Sequence, residues 1–371
     1  MTDWGHLKLR GWPFRMAPDA ESARVWADRA SVKQQIDRLV WNWRRQDRSH
    51  ICIMWGTLGA GKSHAQRYLQ RQLSDGPGIL AVYALMPKEI RAFLDVYKAV
   101  IAMVDVTALA ASLIAAEHES SDPVKVSKEI FPAFPDAARI LRLSQSDIVP
   151  QRQLAQAWIR GDKLPSAELK KLGVMSSIKT TDDCVSMLSG VTRLIHRGPC
   201  HRLLVMIDEC QRVWDFKMAV GKDINTGLQT WFDSNPNNLT LLLSFKCGDE
   251  SHVRKAFLSE DIQDRASWPA ISMPSMQKAD AMEFIRALLQ HFHSDPTLSP
   301  WHPFPEGVVR AVVDRLVSRS GTTPRLLMKA FDALLAEIDY RVGREGSPIL
   351  TEAESWEIVR GAINQLSDDE P

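Results

Sequence analysis

Eight consecutive residues, Gly56-Thr57-Leu58-Gly59-Ala60-Gly61-Lys62-Ser63, have the types and spacing that hold a nucleoside triphosphate. Glycines let the backbone bend so that the N–H groups of Leu58 to Lys62, aided by the N-terminus of a following helix, surround a β-phosphate. Lys62 is expected to reach the β- and γ-phosphates and Ser63 to ligate magnesium, with His64 closing the nucleotide-binding stretch. The plain alternative is an ordinary glycine turn. A second group, Leu203-Leu204-Val205-Met206-Ile207-Asp208-Glu209, is an apolar strand ending in two acids, where a parallel sheet presents its ligand-binding edge. Asp208 would hold magnesium, mainly through water, and Glu209 would polarise the attacking water as a general base. The plain alternative here is a strand running into a solvated acidic turn. Nucleotide grip alone has no need of the second acid, so the two groups together point to hydrolysis of ATP with Mg2+.

Both groups need a sheet to position them. Residues 51–55 form a short apolar run that ends in the glycine loop, preceded by a helical pattern from Ser31 to about Arg48 and followed by another over residues 64–73. Further buried strands are expected at residues 79–84, 203–207 and 239–245, with a weaker one at 270–273. Strands alternating with helices predict an α/β fold: a parallel P-loop NTPase sheet flanked by helices. Between the second and third strands lie more than a hundred residues with helical patterns over 90–116, 153–159 and 185–195, read as a helical insertion. After residue 277 only helical patterns remain, at 279–292, 306–318, 324–341 and 352–366. The expected domains are an extended segment (1–30), a nucleotide-binding domain (31–275, insertion about 88–200), a helical lid (276–345), and a C-terminal helix with an acidic tail (346–371).

Composition narrows the partners. Lys and Arg number 46 against 45 Asp and Glu, so any nucleic-acid contact must come from a local patch rather than from the field of the whole molecule. The five cysteines are scattered without metal-type spacing, and no His pairing suggests a transition metal. The N-terminus lacks an apolar signal core and no run is long enough to span a bilayer, so a cytoplasmic protein with no membrane association is expected. Twelve tryptophans are many, and Trp12, Trp26, Trp41, Trp43 and Trp55 gather around the first strand. Base-stacking platforms are one reading. Their spacing on helical faces points instead to packing in the core and between subunits. Arg44-Arg45-Gln46-Asp47-Arg48 is the densest basic run and reads as a solvated helix end.

The chain resembles the AAA+ ATPases, within them the branch of origin-recognition/Cdc6-like, ExeA-like and TniB/TnsC-like proteins. The resemblance is carried by Pro13-Phe14 with Pro18-Asp19, by the glycine loop, by Asp208-Glu209-Cys210-Gln211-Arg212, and by Gly321-Thr322-Thr323-Pro324-Arg325. Trp158-Ile159-Arg160-Gly161, followed by residues 169–173, resembles an insert of related ATPases from phage-defence gene clusters. The resemblance implies that Arg325, in the lid, senses the γ-phosphate, and that Ser244 orients the attacking water. It also implies an arginine finger acting on a neighbouring subunit's nucleotide, either Arg265 or Arg254. A helix-start arginine, a plain strand serine and a solvated surface arginine are the respective alternatives.

The implied function is an ATP-dependent homo-oligomer, ring or filament, that engages DNA or recruits an effector such as a transposase, nuclease or helicase in transposition or phage defence. About thirty residues follow the last lid helix, which departs from the origin-recognition pattern with its winged-helix DNA-binding domain. DNA contact is then expected from an oligomer's inner surface, the insertion or a partner. The rival readings are a signalling or scaffold NTPase that switches protein contacts without DNA, and a nucleotide-binding loader with a degenerate active site.

Overall fold

The apolar runs form one five-stranded sheet. Its strands are β1 (His50–Gly56), β2 (Ile79–Leu85), β3 (Arg202–Asp208), β4 (Leu239–Lys246) and β5 (Ile271–Met273), in the order β2-β3-β4-β1-β5. β2, β3 and β4 run parallel, with Ala81 opposite Leu204 and Val205 opposite Leu241. β3 is buried along its whole length and β4 up to its last residue, the environment that makes parallel strands read as continuous apolar runs. The computed structural model describes residues 4–15, 25–27, 29–74, 76, 78–249, 251, 253, 270–320, 322–345 and 350–368. Pro18, Asp19, Arg254, Arg265 and Gly321, all singled out in the sequence, lie outside the described residues.

Helix α1 (Ala30–Arg45) precedes β1, and α2 (Lys62–Ser74) connects β1 to β2. The insertion between β2 and β3 contains α3 (Phe93–Ile101), α4 (Val106–His118), α5 (Pro123–Ile130), α6 (Pro135–Leu143), α7 (Val149–Ile159), α8 (Ser166–Leu172) and α9 (Thr181–Arg197). The helical pattern over residues 90–116 resolves into α3 and α4, bent by 81°. Asp105 makes the break: its carboxylate accepts the N–H groups of Thr107 (2.9 Å) and Ala108 (3.1 Å), capping a new helix. A 3-10 turn (Cys210–Asp215) and α10 (Met218–Asp233) link β3 to β4. After β5 come α11 (Lys278–Phe292), α12 (Glu306–Ser320), α13 (Pro324–Glu345) and α14 (Glu352–Asp368).

The chain divides into two compact units, each with its own apolar core. One comprises Leu39–Trp55 and Gln72–Ile271, and its core unites strand residues such as Val205 and Leu241 with insertion residues such as Phe131, Trp158 and Leu188. The other comprises Met1–Arg38, Gly56–Arg71 and Ser272–Pro371; its core gathers Leu7 and Phe14 from the N-terminal segment with Ile285, Val309 and Phe331 from the C-terminal helices. The Trp12-Pro13-Phe14 segment is thus accounted for: Phe14 lies 5.7 Å from the Phe331 ring, and the Trp12 indole donates to Asp332. Among the described residues, no single helix is long and apolar enough to cross a bilayer.

Candidate active site

The glycine loop leaves β1 at Gly56 and delivers the chain into α2 at Lys62. Gly59 (φ +73°) and Gly61 (φ +97°) occupy the left-handed region, which residues bearing a Cβ rarely adopt, so the glycines are demanded by the path of the backbone. Lys62 is 7 % exposed, and its ammonium donates to the carbonyls of Gly56 (2.8 Å) and Thr57 (3.0 Å). A buried cation at a helix N-terminus is an anion-attracting arrangement, because the ammonium and the helix dipole act in the same direction. Ser63 and His64 occupy the first turn of α2, both half-buried.

Three contacts fix the loop. The Arg325 N–H donates to Gly59 O (3.3 Å), and a Cβ placed on Gly59 would stand only 2.6 Å from the Cβ of Arg325. The start of α13 therefore rests on the loop, helped by Pro324 at its first position and by Thr323, whose hydroxyl accepts the Leu326 N–H (3.3 Å). Met273 closes over Gly56, where a Cβ would lie 2.8 Å from both the Met273 Cβ and its carbonyl oxygen. Arg29, 2 % exposed, donates to Ala60 O (2.7 Å) and to Pro274 O. Sequence reasoning missed Arg29, which precedes an ordinary amphipathic helix and carries no motif. Trp26, named in the sequence as a packing tryptophan, packs edge-on against Tyr68 at 5.0 Å and lies 6.4 Å from His64.

The acid pair closes β3, in the other unit. Asp208 is 1 % exposed, and its carboxylate is clasped from both neighbouring strands: Tyr83 on β2 donates to Oδ2 (3.0 Å), and Ser244 on β4 donates to Oδ1. The Glu209 N–H also donates to Oδ1, at 2.9 Å. Glu209 itself adopts a left-handed backbone (φ 61°, ψ 34°), unusual for a residue with a long side chain. Its carboxylate accepts the Gln211 amide (2.7 Å), and the Gln211 carbonyl oxygen accepts the Lys246 N–H at the end of β4 (2.8 Å). Cys210 is inert: burial, then the charge of Asp208, holds its thiol well above the ordinary value.

No family model matches the chain, and no curated protein matches it in sequence. Solved structures share its fold, and two of them illustrate the likeness. The chain is similar to the Aeropyrum pernix ORC1 protein, solved in complex with DNA, at 12 % identity and a TM-score of 0.52, over 98 % of this chain and 71 % of that one. It is also similar to the Aeropyrum pernix ORC2 protein, solved in ADPNP–ADP complexes, at 12 % identity and a TM-score of 0.53, over 95 % of this chain and 73 % of that one. The fold is that of an AAA+ P-loop NTPase.

The glycine loop lies between β1 and α2, the acid pair at the end of β3, and the region expected as a lid, residues 276–345, contains α11 to α13. Of the residues expected to act there, Lys62, Ser63, His64 and Arg325 belong to the unit of the glycine loop, and Asp208, Glu209 and Ser244 to the other. Ser244 bonds Asp208 directly and is wholly buried. The donors assigned to magnesium, a hydroxyl and a carboxylate, are the hard oxygen ligands that ion takes. Among the described residues, no cluster of His, Cys, Asp and Glu suits a transition metal.

Proposed function

We propose that this chain binds and hydrolyses ATP and that its nucleotide state controls self-assembly. The observation that carries the reading is the left-handed Gly59–Gly61 loop delivering a buried Lys62 at the start of α2, in a chain whose β3 ends in the acid pair. Backbone N–H groups of the loop take the β-phosphate, Lys62 the β- and γ-oxygens, and Ser63 and Asp208 hold magnesium, Asp208 mainly through water. Magnesium, when bound, neutralises charge on the β- and γ-oxygens. Glu209 accepts a proton from the attacking water, Ser244 keeps Asp208 in place and helps orient that water, and Arg325 reads the γ-phosphate from the lid. Arg265 or Arg254 completes the site of a neighbouring subunit, which makes a homo-oligomer, ring or filament, a requirement of turnover.

The same reading extends to DNA. The ORC1 protein was solved in complex with DNA, and we take DNA engagement, with recruitment of a transposase, nuclease or helicase in transposition or phage defence, as the purpose of the assembly. A specific observation also favours slow, switch-like turnover of the kind a signalling or scaffold NTPase needs: Gln211 already occupies the Glu209 carboxylate. The test is Glu209→Gln with ATP, observed by electron microscopy and size exclusion with and without duplex DNA. An ATP-trapped assembly is expected. Wild-type turnover by that variant would overturn the assignment of Glu209, and an ATPase rate indifferent to DNA, with no salt-dependent DNA binding, would leave the scaffold reading.

A further inference from the structure

We propose that the exposed face at the end of α1, formed by Trp41, Arg44 and Arg45 with Arg48 just beyond, binds single-stranded nucleic acid: phosphates on the arginines, one unstacked base on the Trp41 indole. The proposal rests on the DNA-engaging reading above and supplies its contact surface.

Residues 41, 44 and 45 share one face of a helix by their i, i+3, i+4 spacing. Trp41 is 58 % exposed, whereas Trp43, two residues on and facing inward, is 1 % exposed. The Arg45 guanidinium lies over the Trp41 ring at 3.9 Å, which holds the indole in one orientation. Between Leu39 and Trp55 there are three arginines and one carboxylate, Asp47. Among the described residues, none of Arg44, Arg45 and Arg48 is in an ion pair, unlike Arg139, Arg197 and Arg310, each of which meets a carboxylate within 3.0 Å.

The ordinary purpose of cations at a helix C-terminus is to satisfy its last carbonyls. Here it is the carbonyls just beyond the helix that are taken, by a buried arginine from a strand. Arg202, at the start of β3 and 6 % exposed, donates to Arg48 O (2.7 Å), Gln46 O and Asn237 O (3.1 Å). The turn that leaves the helix is thereby anchored, and among the described residues none of the three surface guanidinium groups is bonded to a carbonyl of the helix end. A local cationic strip beside a fixed, accessible indole matches the way single strands are held, by backbone charge and base stacking. The strip sits by the first residues of β1 and β3, at the edge of the sheet opposite Asp208. Six residue steps of β3 separate Arg202 from Asp208, roughly 20 Å at strand rise, so a bound strand leaves the acid pair clear.

The test is fluorescence anisotropy of the full-length protein with a labelled 20-nucleotide oligo-dT and a 20-base-pair duplex over a salt series, alongside basal ATPase and Tm. For Trp41→Ala, oligo-dT affinity is expected to fall about tenfold. For the combined Arg44→Ala, Arg45→Ala and Arg48→Ala variant, the slope of log K against log salt should flatten by about 2. Tm and basal ATPase should hold in both. Wild-type binding that both variants retain overturns this surface while leaving DNA engagement intact. No binding of either probe by the wild type overturns DNA engagement itself. A variant that loses ATP-dependent self-assembly but keeps oligo-dT binding reassigns the face to a subunit contact, and equal, patch-dependent binding of the duplex overturns the single-strand assignment.

Discussion

At the residue scale, the backbone of Glu209 is the most informative feature. A left-handed conformation costs an L-residue about 1–2 kcal/mol and is relieved by glycine. Glu209→Gly should therefore raise stability by about 1 kcal/mol while abolishing ATP hydrolysis, whereas Glu209→Gln keeps the strain; urea midpoints and phosphate release check both. A midpoint unmoved or lowered by glycine would mean that the conformation carries no cost. Gln211 gives a second prediction. Its amide holds the Glu209 carboxylate and is itself oriented by the Lys246 N–H, so the proposed general base already has a hydrogen-bond partner. Gln211→Ala should raise basal turnover severalfold without moving Tm, and an unchanged or lower rate would show that Gln211 supports catalysis instead of restraining it. The acid pair was legible in the sequence because an apolar strand ending in two carboxylates is a local pattern. The hold of Gln211 was not, since its orientation depends on the end of β4, 35 residues further along.

At the scale of elements, the glycine loop is held in place by segments remote in sequence. Gly59→Ala would combine a disfavoured left-handed φ with a Cβ 2.6 Å from that of Arg325, and the start of α13 would have to shift. A loss of about 2–3 kcal/mol is expected, with weaker ATP binding by calorimetry; a variant as stable as the wild type would show that α13 rests on the loop only loosely. Arg29→Ala leaves the buried Ala60 carbonyl and the part-buried Pro274 carbonyl without their donor. At about 1–3 kcal/mol for a buried unsatisfied group, the variant should melt markedly lower, and ATP binding should weaken because Ala60 lies in the turn proposed to hold phosphate. Element positions were readable from apolar periodicity, but the break between α3 and α4 was not. Apolar residues continue across it, and only the capping of Thr107 and Ala108 by Asp105 turns the chain.

At the scale of the whole molecule, His50 makes stability depend on pH. It is fully buried at the start of β1, and burial, then Arg202 and Arg48, lowers its pKa to about 4. An unfolded histidine titrates near 6.5, so as pH falls the unfolded chain takes up this proton first. This contribution to stability is complete above about pH 6.5 and is lost progressively down to about pH 4. The drop in Tm between pH 7 and pH 5 should shrink in His50→Gln, and an identical drop would place the acid sensitivity elsewhere. The sequence by itself determined the α/β class, the glycine loop and the acid pair, because each is written in residue types over a few consecutive positions: glycines for positive φ, apolar runs for buried strands, carboxylates at a strand end. Tertiary structure alone decided which groups serve them. Tyr83 reaches Asp208 across 125 residues of chain, Arg29 reaches Ala60 across 31, and of two tryptophans two positions apart only Trp41 faces outward. Such pairings follow from strand order and from which helix face is covered, and no local spacing encodes either.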